Sequence, residues 1–276
     1  MLKVGGLHSY YGQAHILADV ALEVNAGEVV VLLGRNGAGK STTLKSIIGL
    51  VRPKSGTVEF RGECIERFAP YRIARLGLGY VPEERRIFTD LTVLENLEVG
   101  KQPPRRFADG GSAPTWDFEK IGTLFPNLKE MPDRLGGRMS GGEQQMLTIA
   151  RTLMGNPACI LLDEPSEGVA PVIVDQMAEA IRGLKAAGVA ILLSEQNLHF
   201  AASVADRAYI IEKGRIRFEG TMAELNALKL VMISSRVMTA CPLWPDTATP
   251  RDTAPAHHHS HSIPPSCLQS ESAPSR

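Results

Sequence analysis

Hydrophobic residues form a continuous run in one segment near the start of the chain. Residues 29–33 are all apolar, which is typical of a strand buried on both faces of a sheet. Gly34 ends this run, and residues 41–50 have the spacing of a helix. The remaining segments within residues 1–60 favour short strands joined by turns. The pattern therefore predicts a strand, a glycine-containing turn and a helix in succession.

Apolar runs and helix-like segments alternate along the rest of the chain. Strand patterns return at residues 159–162, 189–193 and 208–211, and helical segments separate them. This alternation predicts an α/β domain with a mostly parallel sheet covered by helices. Residues 86–150 are mostly helix-like and predict an inserted helical subdomain. A stretch at 101–115, rich in Pro, Gly and Arg, interrupts it and predicts a surface loop.

The composition changes after about residue 230. Residues 239–276, which make up most of the segment 231–276, are dominated by Pro, Ser, Thr, Ala and His and have almost no aliphatic periodicity. Such a segment buries too little apolar surface to offset its chain entropy, so we expect a disordered tail after a folded domain at 1–230. The histidines at 257–261 then favour solvated side chains, with adventitious metal binding as the alternative.

Charge and hydropathy argue against two classes of protein. Lysine plus arginine and aspartate plus glutamate each number 30, so no basic field favours nucleic acid as a partner. No apolar run approaches the roughly 20 residues that a membrane-spanning helix requires. The first residues also lack the apolar region of a signal peptide. We therefore expect a cytosolic chain that reaches a membrane only through a partner.

A phosphate-loop pattern, GxxxxGK[ST], lies between the predicted strand and the predicted helix, as this motif requires. Glycines in such a loop let backbone N–H groups turn toward phosphate oxygens, and the helix N-terminus adds partial positive charge. We expect Lys40 to reach the β- and γ-phosphates and Ser41 to bind Mg²⁺, with Thr42 a second candidate on the same turn. The predicted nucleotide-binding residues of this loop are Gly34, Arg35, Asn36, Gly37, Ala38, Gly39, Lys40, Ser41 and Thr42.

An acidic pair, Asp163 and Glu164, follows the apolar run at 159–162. In phosphate-loop enzymes an acid at this position binds Mg²⁺, and a carboxylate next to it can act as the general base toward water. Without the phosphate loop, the pair would suggest a solvated strand end. Together the two motifs predict an ATP hydrolase that uses ATP and Mg²⁺. Asp163 then binds the metal, and Glu164 and Lys40 are catalytic.

The peptide Met139-Ser140-Gly141-Gly142-Glu143 resembles LSGGQ, the signature of ABC transporter ATPases. It opens a helix-like run, so Ser140 and the N–H groups of Gly141 and Gly142 can bind a γ-phosphate. The resemblance implies a P-loop NTPase core with antiparallel strands at its N-terminus and an inserted helical subdomain. It also implies two kinds of partner: a second ABC ATPase subunit, whose phosphate loop faces this signature, and integral membrane permease subunits.

Four stretches, at 80–97, 139–154, 163–171 and 194–197, resemble one subgroup, the ATPase subunits of branched-chain or high-affinity hydrophobic amino-acid importers. The resemblance implies amino-acid import, a peripheral location at the cytoplasmic face of the cell membrane, and a substrate-binding protein as an indirect partner. An ATPase does not contact the cargo, so urea or a lipid-linked export substrate stays open. A soluble ABC-type ATPase outside transport and a nucleotide-binding regulator without activity are further alternatives.

Several positions depart from the general ABC pattern. Glu83 replaces the usual Q-loop glutamine, and the resemblance makes it a candidate Mg²⁺ ligand. Gln196 replaces the switch histidine; it can hydrogen-bond a γ-phosphate and act in catalysis, but it cannot titrate near neutral pH. The D-loop aspartate is absent from residues 166–169. We interpret these departures as marks of the subgroup, with a degenerate, weakly active site as the alternative.

Two more surfaces follow from the resemblance. Tyr10-Tyr11-Gly12 resembles the loop whose aromatic ring stacks on adenine, and strand alternation lets only one of the tyrosines face the nucleotide. Tyr11 is the predicted one, and a core tyrosine is the alternative. Residues 85–88 follow the Q-loop position, where family members dock a helix of the membrane subunit. Solvated arginines beside a core phenylalanine are the alternative there.

Overall fold

A computed structural model describes residues 1–107 and 110–227 of the 276-residue chain, and the predicted tail at 231–276 lies outside the described residues. The strands of the described part are β1 (Leu2–Tyr11), β2 (Ala14–Val24), β3 (Val29–Leu33), β4 (Ser55–Phe60), β5 (Glu63–Cys64), β6 (Leu78–Val81), β7 (Cys159–Asp163), β8 (Ala190–Glu195), β9 (Arg207–Glu212) and β10 (Arg215–Thr221). Its α-helices are α1 (Lys40–Ile47), α2 (Pro70–Arg75), α3 (Val93–Gly100), α4 (Phe118–Leu124), α5 (Pro126–Glu130), α6 (Gly141–Leu153), α7 (Pro171–Ala186) and α8 (Leu198–Val204). None of the helices in this part is long and apolar enough to cross a bilayer.

A six-stranded sheet in the order β10-β9-β3-β8-β7-β6 forms the centre of the domain. All neighbours are parallel except β9 and β10. Every residue of β3 and β7 is buried, as their nearly continuous apolar sequences require. The predicted α/β fold with a mostly parallel sheet is therefore confirmed. The carboxyl ends of β3, β7 and β8 meet at one edge, and the predicted phosphate and acidic motifs follow two of these strands.

A second, antiparallel sheet in the order β2-β1-β4-β5 packs over α1 and one face of the central sheet. Its first two strands span 10 and 11 residues, so the expectation of short strands at the N-terminus was wrong. The register between them shifts at several points, and Gly6 and Asp19 have positive φ values. Each shift interrupts the alternation of apolar and polar residues, which is why the sequence suggests several shorter strands.

The predicted helical insertion contains α3 to α6. Helix α3 begins at a capping box between Thr92 and Glu95, and Asp117 caps α4 by accepting from the N–H of Lys120. Apolar side chains of these helices share one continuous core with the second face of the central sheet. The boundary of a separate subdomain at 86–150 therefore stays a prediction, because the packing does not isolate this segment.

The stretch at 101–115 is anchored to the domain in its described part. The buried amide of Asn156 donates to the Gln102 carbonyl at 2.7 Å and accepts from the Trp116 N–H at 2.7 Å. Arg105 donates to the carbonyls of Gly155 and Asn156, and Ala113 is buried. The Pro- and Gly-rich composition correctly indicates irregular structure, although these contacts fix both ends of it to the core.

Candidate functional site

The loop between β3 and α1 turns backbone groups inward. Gly37 and Gly39 have φ angles of 79° and 113°, a region that glycine enters without steric cost. A Cβ at Gly34 would lie 2.6 Å from the carbonyl oxygen of Ile211, so this position also requires glycine. Gly39 precedes α1 without any side-chain cap. The N–H groups of the first helical turn are therefore available to an anion.

A cavity of about 280 Å³ opens at this loop. Tyr11 faces it and is 50% exposed, whereas the Tyr10 ring stacks on His15 with centroids 4.2 Å apart. The structure thus separates the two tyrosines as strand alternation predicted, while contact with adenine stays a prediction. Beside the cavity, Gly34 and Ala38 are buried and Arg35 and Asn36 are exposed. The residues that line it are Tyr11, Ile16, Gly37, Gly39, Lys40, Ser41, Thr42 and Glu164.

The Lys40 ammonium group is buried at the base of the cavity and has three oxygen partners. Its Nζ donates to the carbonyls of Gly34 at 2.8 Å and Arg35 at 3.1 Å, and it lies 3.0 Å from Glu164 Oε1. These contacts hold the charge inside the loop, where phosphate oxygens would compete for it. The sequence located this lysine, but its pairing with Glu164 depends on the packing of α1 against β7.

Asp163 is the last residue of β7 and is 1% exposed. Three hydroxyl groups donate to its carboxylate: Ser41 at 2.9 Å and Ser194 at 2.7 Å donate to Oδ1, and Tyr80 at 3.1 Å donates to Oδ2. Burial and the nearby Asp163 charge raise the pKa of the Tyr80 phenol, which keeps it a donor. The carboxylate is therefore fixed in orientation next to the phosphate loop.

Glu164 combines backbone strain with an unsatisfied buried atom. Its φ is +46°, an unusual value for a residue with a side chain, and its N–H donates to the Ser194 carbonyl at 3.1 Å. Oε1 pairs with Lys40, and Oε2 is buried without a hydrogen-bond partner within the described part of the chain. Strained backbone and unpaired buried polar atoms are both concentrated at functional sites.

Glu83 and Gln196 are exposed, and neither lines the phosphate-loop cavity. Partial burial and the negative charges of Glu164 and Asp163 raise the pKa of the Glu83 carboxyl. Gln196 follows the buried Glu195, whose carboxylate accepts from the N–H groups of Ser166 and Asn197. The turn that presents Gln196 is thus pinned by its neighbour, although the ligand of the Gln196 amide stays a prediction.

The signature peptide lies at the N-terminus of α6 and does not line the phosphate-loop cavity. Ser140 caps the helix: its Oγ accepts from the Glu143 N–H at 3.3 Å, and the Glu143 carboxylate accepts from the Ser140 N–H at 2.6 Å. The Ser140 hydroxyl hydrogen remains free to donate. A Cβ at Gly141 would lie 2.5 Å from Nη1 of Arg85, and Gly142 is buried. One chain alone therefore keeps the signature apart from its own phosphate loop.

Sequence reasoning missed the two hydroxyl groups that complete the Asp163 environment, those of Tyr80 and Ser194. Asp163 pairs with Ser194 across β7 and β8, and Tyr80 pairs with Leu161, two residues before Asp163 on the same face of β7. The only sequence signal was that both residues lie inside the stretches that resemble the importer subgroup. Strand register, which the sequence does not show, brings them to the carboxylate.

A groove of about 650 Å³ lies on another face, between α2, the start of β6 and the segment around residue 88. Phe88 is 46% exposed in it, so the alternative of a core phenylalanine is wrong. Arg151 from α6 reaches over the Phe88 ring, with its Cζ 4.9 Å from the ring centroid. The exposed apolar side chains in its lining are Leu50, Tyr71, Phe88 and Val99.

Comparison with known proteins agrees with these motifs. Residues 17–167 match the ABC transporter family. The chain is 44% identical over 225 residues to the high-affinity branched-chain amino acid transport ATP-binding protein BraG of Pseudomonas aeruginosa, covering 82% of this chain and 94% of that protein. It is 38% identical to the lipopolysaccharide export system ATP-binding protein LptB of Haemophilus influenzae, covering 80% and 90%. The probable branched-chain amino acid transport ATP-binding protein LivF of Archaeoglobus fulgidus is 35% identical, covering 82% and 94%.

Solved structures show the same architecture. An ATP-binding subunit of an ABC transporter is 29% identical with a TM-score of 0.68, covering 84% of this chain and 94% of the other. A nucleotide-free ATP-binding cassette from an ABC transporter is 29% identical with a TM-score of 0.70, covering 85% and 98%. These likenesses confirm the predicted P-loop fold and the ATP hydrolase class. The chain belongs to the ABC transporter family, as one of its ATP-binding, ATP-hydrolysing subunits.

Proposed function

We propose that this ATPase energises the import of branched-chain or other hydrophobic amino acids. Two relatives named for branched-chain amino acid transport, at 44% and 35% identity, support this cargo. The relative named for lipopolysaccharide export, at 38% identity, makes that cargo the alternative to test. The observation that carries the catalytic part is the buried contact of Lys40 with Glu164 beside the fixed carboxylate of Asp163.

The residues at the site fit a hard divalent cation such as Mg²⁺. Asp163 offers a buried, oriented carboxylate, the Ser41 hydroxyl lies 2.9 Å from it, and Glu83 adds a third oxygen donor. The described residues contain no group of three or more His, Cys, Asp or Glu that could hold a metal by themselves. Mg²⁺ usually binds through one or two carboxylates together with substrate phosphates, so this sparse set is appropriate. When bound, Mg²⁺ neutralises charge on the phosphates during transfer.

The protein groups then have distinct roles. The loop N–H groups and Lys40 bind the β- and γ-phosphates, and in doing so draw the ammonium away from Glu164. The freed Glu164 carboxylate accepts a proton from the attacking water. Gln196 donates its amide to the γ-phosphate, and Tyr11 stacks on the adenine ring. The positions of Tyr11, Lys40 and Glu164 in the lining of the phosphate-loop cavity support these roles.

Substitution of Lys40 tests this assignment. Lys40→Ala removes the positive charge from the reacting phosphates and should lower ATP hydrolysis in the assembled transporter by at least a hundredfold, on the order of the loss for one preorganised charge. Lys101→Ala is the matched control, because Lys101 is exposed and pairs with Glu98 on α3. Near wild-type hydrolysis by Lys40→Ala would show that the phosphate loop is not the site of turnover.

A second ABC ATPase subunit completes the site in this proposal. Ser140, Gly141 and Gly142 form a helix N-terminus that is separate from the phosphate-loop cavity of the same chain. Placed against the phosphate loop of a partner, the N–H groups of Gly141 and Gly142 and the Ser140 hydroxyl bind the γ-phosphate of the partner's ATP. ATP-dependent dimerisation by gel filtration, alone and with the neighbouring ATPase of the same transporter, distinguishes a homodimer from a heterodimer. A chain that stays monomeric in the presence of ATP, both alone and with the second ATPase, would contradict this arrangement.

The groove around Phe88 is the proposed contact with the permease subunits, which places the chain at the cytoplasmic face of the membrane. Its mixture of exposed apolar and arginine side chains suits a protein partner. Phe88→Ala should weaken co-purification with the permeases, whereas Leu94→Ala should not. Leu94 is similarly exposed but does not line the groove. Equal loss in both variants, or in neither, would argue against the groove.

Transport assays decide the cargo. Vesicles that contain the assembled transporter and its substrate-binding protein should accumulate radiolabelled leucine, isoleucine or valine when ATP is supplied to the ATPase side. Uptake should disappear with Lys40→Ala and persist with Lys101→Ala. ATP-driven extraction of lipopolysaccharide without amino-acid uptake would reject the proposed cargo and favour the alternative.

A further inference from the structure

One side chain, that of Tyr80, belongs to both the permease groove and the metal-binding carboxylate. Tyr80 lines the groove together with Phe88 and Val99, and its hydroxyl donates to Asp163 Oδ2 at 3.1 Å. Strand β6 carries Tyr80 at the edge of the central sheet, and its partner β7 ends at Asp163. Among the residues that line the groove, Tyr80 is the one with a hydrogen bond to the Asp163 carboxylate.

The two carboxylate oxygens of Asp163 are held in different ways. Oδ1 accepts from Ser41 on α1 and from Ser194 on the central strand β8. Oδ2 accepts from Tyr80 at the sheet edge. Rotation of the carboxylate about its bond to Cβ is therefore limited at Oδ2 by a side chain that the groove exposes, whereas Oδ1 is fixed from inside the domain.

Resting on the function proposed above, we propose that Tyr80 is a positioning residue that couples occupation of the groove to the orientation of the Asp163 carboxylate. A permease side chain in the groove contacts the Tyr80 ring and restricts it to the rotamer whose hydroxyl reaches Oδ2. The Tyr80 hydroxyl already reaches Oδ2 in the chain alone, so a permease side chain acts by holding this rotamer against the alternatives that an open groove allows. Docking of the permease thereby favours binding of the divalent cation that Asp163 holds, which links the partner to the site without a large movement of the backbone.

The direct test uses Tyr80→Phe, which keeps the ring in the groove and removes only the hydroxyl. Binding of Mn²⁺, a paramagnetic substitute for Mg²⁺, is measured by electron paramagnetic resonance on the ATP-loaded full-length chain, with and without the permease complex in nanodiscs. Because loss of a hydrogen-bonding partner behind a metal ligand typically costs tenfold or more in affinity, wild type should bind Mn²⁺ roughly tenfold more tightly than Tyr80→Phe in the complex. In Tyr80→Phe the permeases should no longer increase Mn²⁺ affinity.

Two control variants separate coupling from ordinary support of the carboxylate. Ser194→Ala removes a donor to Oδ1 that does not line the groove, so it should weaken Mn²⁺ binding and still respond to the permeases. Tyr209→Phe removes a tyrosine hydroxyl that accepts from Arg207 and donates to Glu219 on the far side of the sheet. This variant should behave as the wild type. ATP binding in the presence of EDTA should be the same in all four proteins.

The outcomes are distinct. If Tyr80→Phe binds Mn²⁺ as the wild type does, or binds it more weakly but keeps the full response to the permeases, the coupling role is wrong. If the wild-type protein does not bind nucleotide or does not bind the permeases, the proposed function is wrong, and the coupling role is wrong with it. A response to the permeases that Tyr80→Phe loses and Ser194→Ala retains supports the assignment.

Discussion

Replacement of Glu164 by glutamine separates the binding of ATP from its hydrolysis. Lys40 Nζ shares its hydrogen bonds among Glu164 Oε1 and two loop carbonyls, at 3.0, 2.8 and 3.1 Å. A hydrogen bond to a charged group contributes about 1.5–3 kcal/mol and a neutral one about 1 kcal/mol. Glu164→Gln therefore weakens the contact between residue 164 and the Lys40 ammonium by roughly 1–2 kcal/mol. Because this contact competes with the phosphates for Lys40, ATP should bind more tightly by roughly 5- to 30-fold. The loss of a negative charge beside the phosphates acts in the same direction.

Hydrolysis should change in the opposite sense. Without a base to accept the proton, turnover should fall by roughly 10²- to 10⁴-fold. Titration with a fluorescent ATP analogue measures the affinity, and phosphate release in the assembled transporter measures the rate. Glu179→Gln is the control, since Glu179 is exposed on α7 and pairs with Arg182 on the same helix. A correctly folded Glu164→Gln protein with turnover within threefold of the wild type, or with weaker ATP binding, would refute the reasoning.

Three further predictions concern the nucleotide site and its pH dependence. Gln196→Ala should clearly lower kcat, whereas His199→Ala should not. The profile of kcat against pH should be the same in wild type and His199→Ala, with no histidine-dependent acid limb. Tyr11→Ala should weaken ATP binding by several-fold, while Tyr10→Ala should not, because only the Tyr11 ring faces the cavity. The pKa of Glu167 is raised to about 7, first by its interaction with the nearby Glu164 carboxyl group and then by burial. The folded chain thus binds this proton more tightly than the unfolded chain, and the resulting stability is lost as the pH rises from about 5 to 7. Over this range, in the absence of ATP and Mg²⁺, the Tm of the wild type should fall more than the Tm of Glu167→Gln.

Contiguous motifs were readable because short segments of chain fix their own geometry. The phosphate loop joins a buried strand to a helix, and its glycines alone permit φ values such as the +113° of Gly39. Ser140 and Glu143 form a capping box within a single turn of α6, so the position of the signature at a helix N-terminus also followed from sequence. The mostly parallel sheet followed from the alternation of apolar runs with helices. Less was readable at the N-terminus, where register shifts obscured two long strands.

The amino-acid sequence by itself predicted that Lys40, Asp163 and Glu164 belong to one phosphate-transfer site, because both motifs lie at the carboxyl ends of predicted parallel strands. Only the tertiary structure decided what each of these groups touches. The Asp163 carboxylate accepts hydrogen bonds from hydroxyl groups on α1, β6 and β8, which are distant in sequence. The two strands meet at Asp163 because β7 lies between β6 and β8. Alternation of side chains assigns a residue to a face of a strand, but the register that sets Tyr80 and Ser194 beside Asp163 arises from strand pairing and core packing across the whole domain.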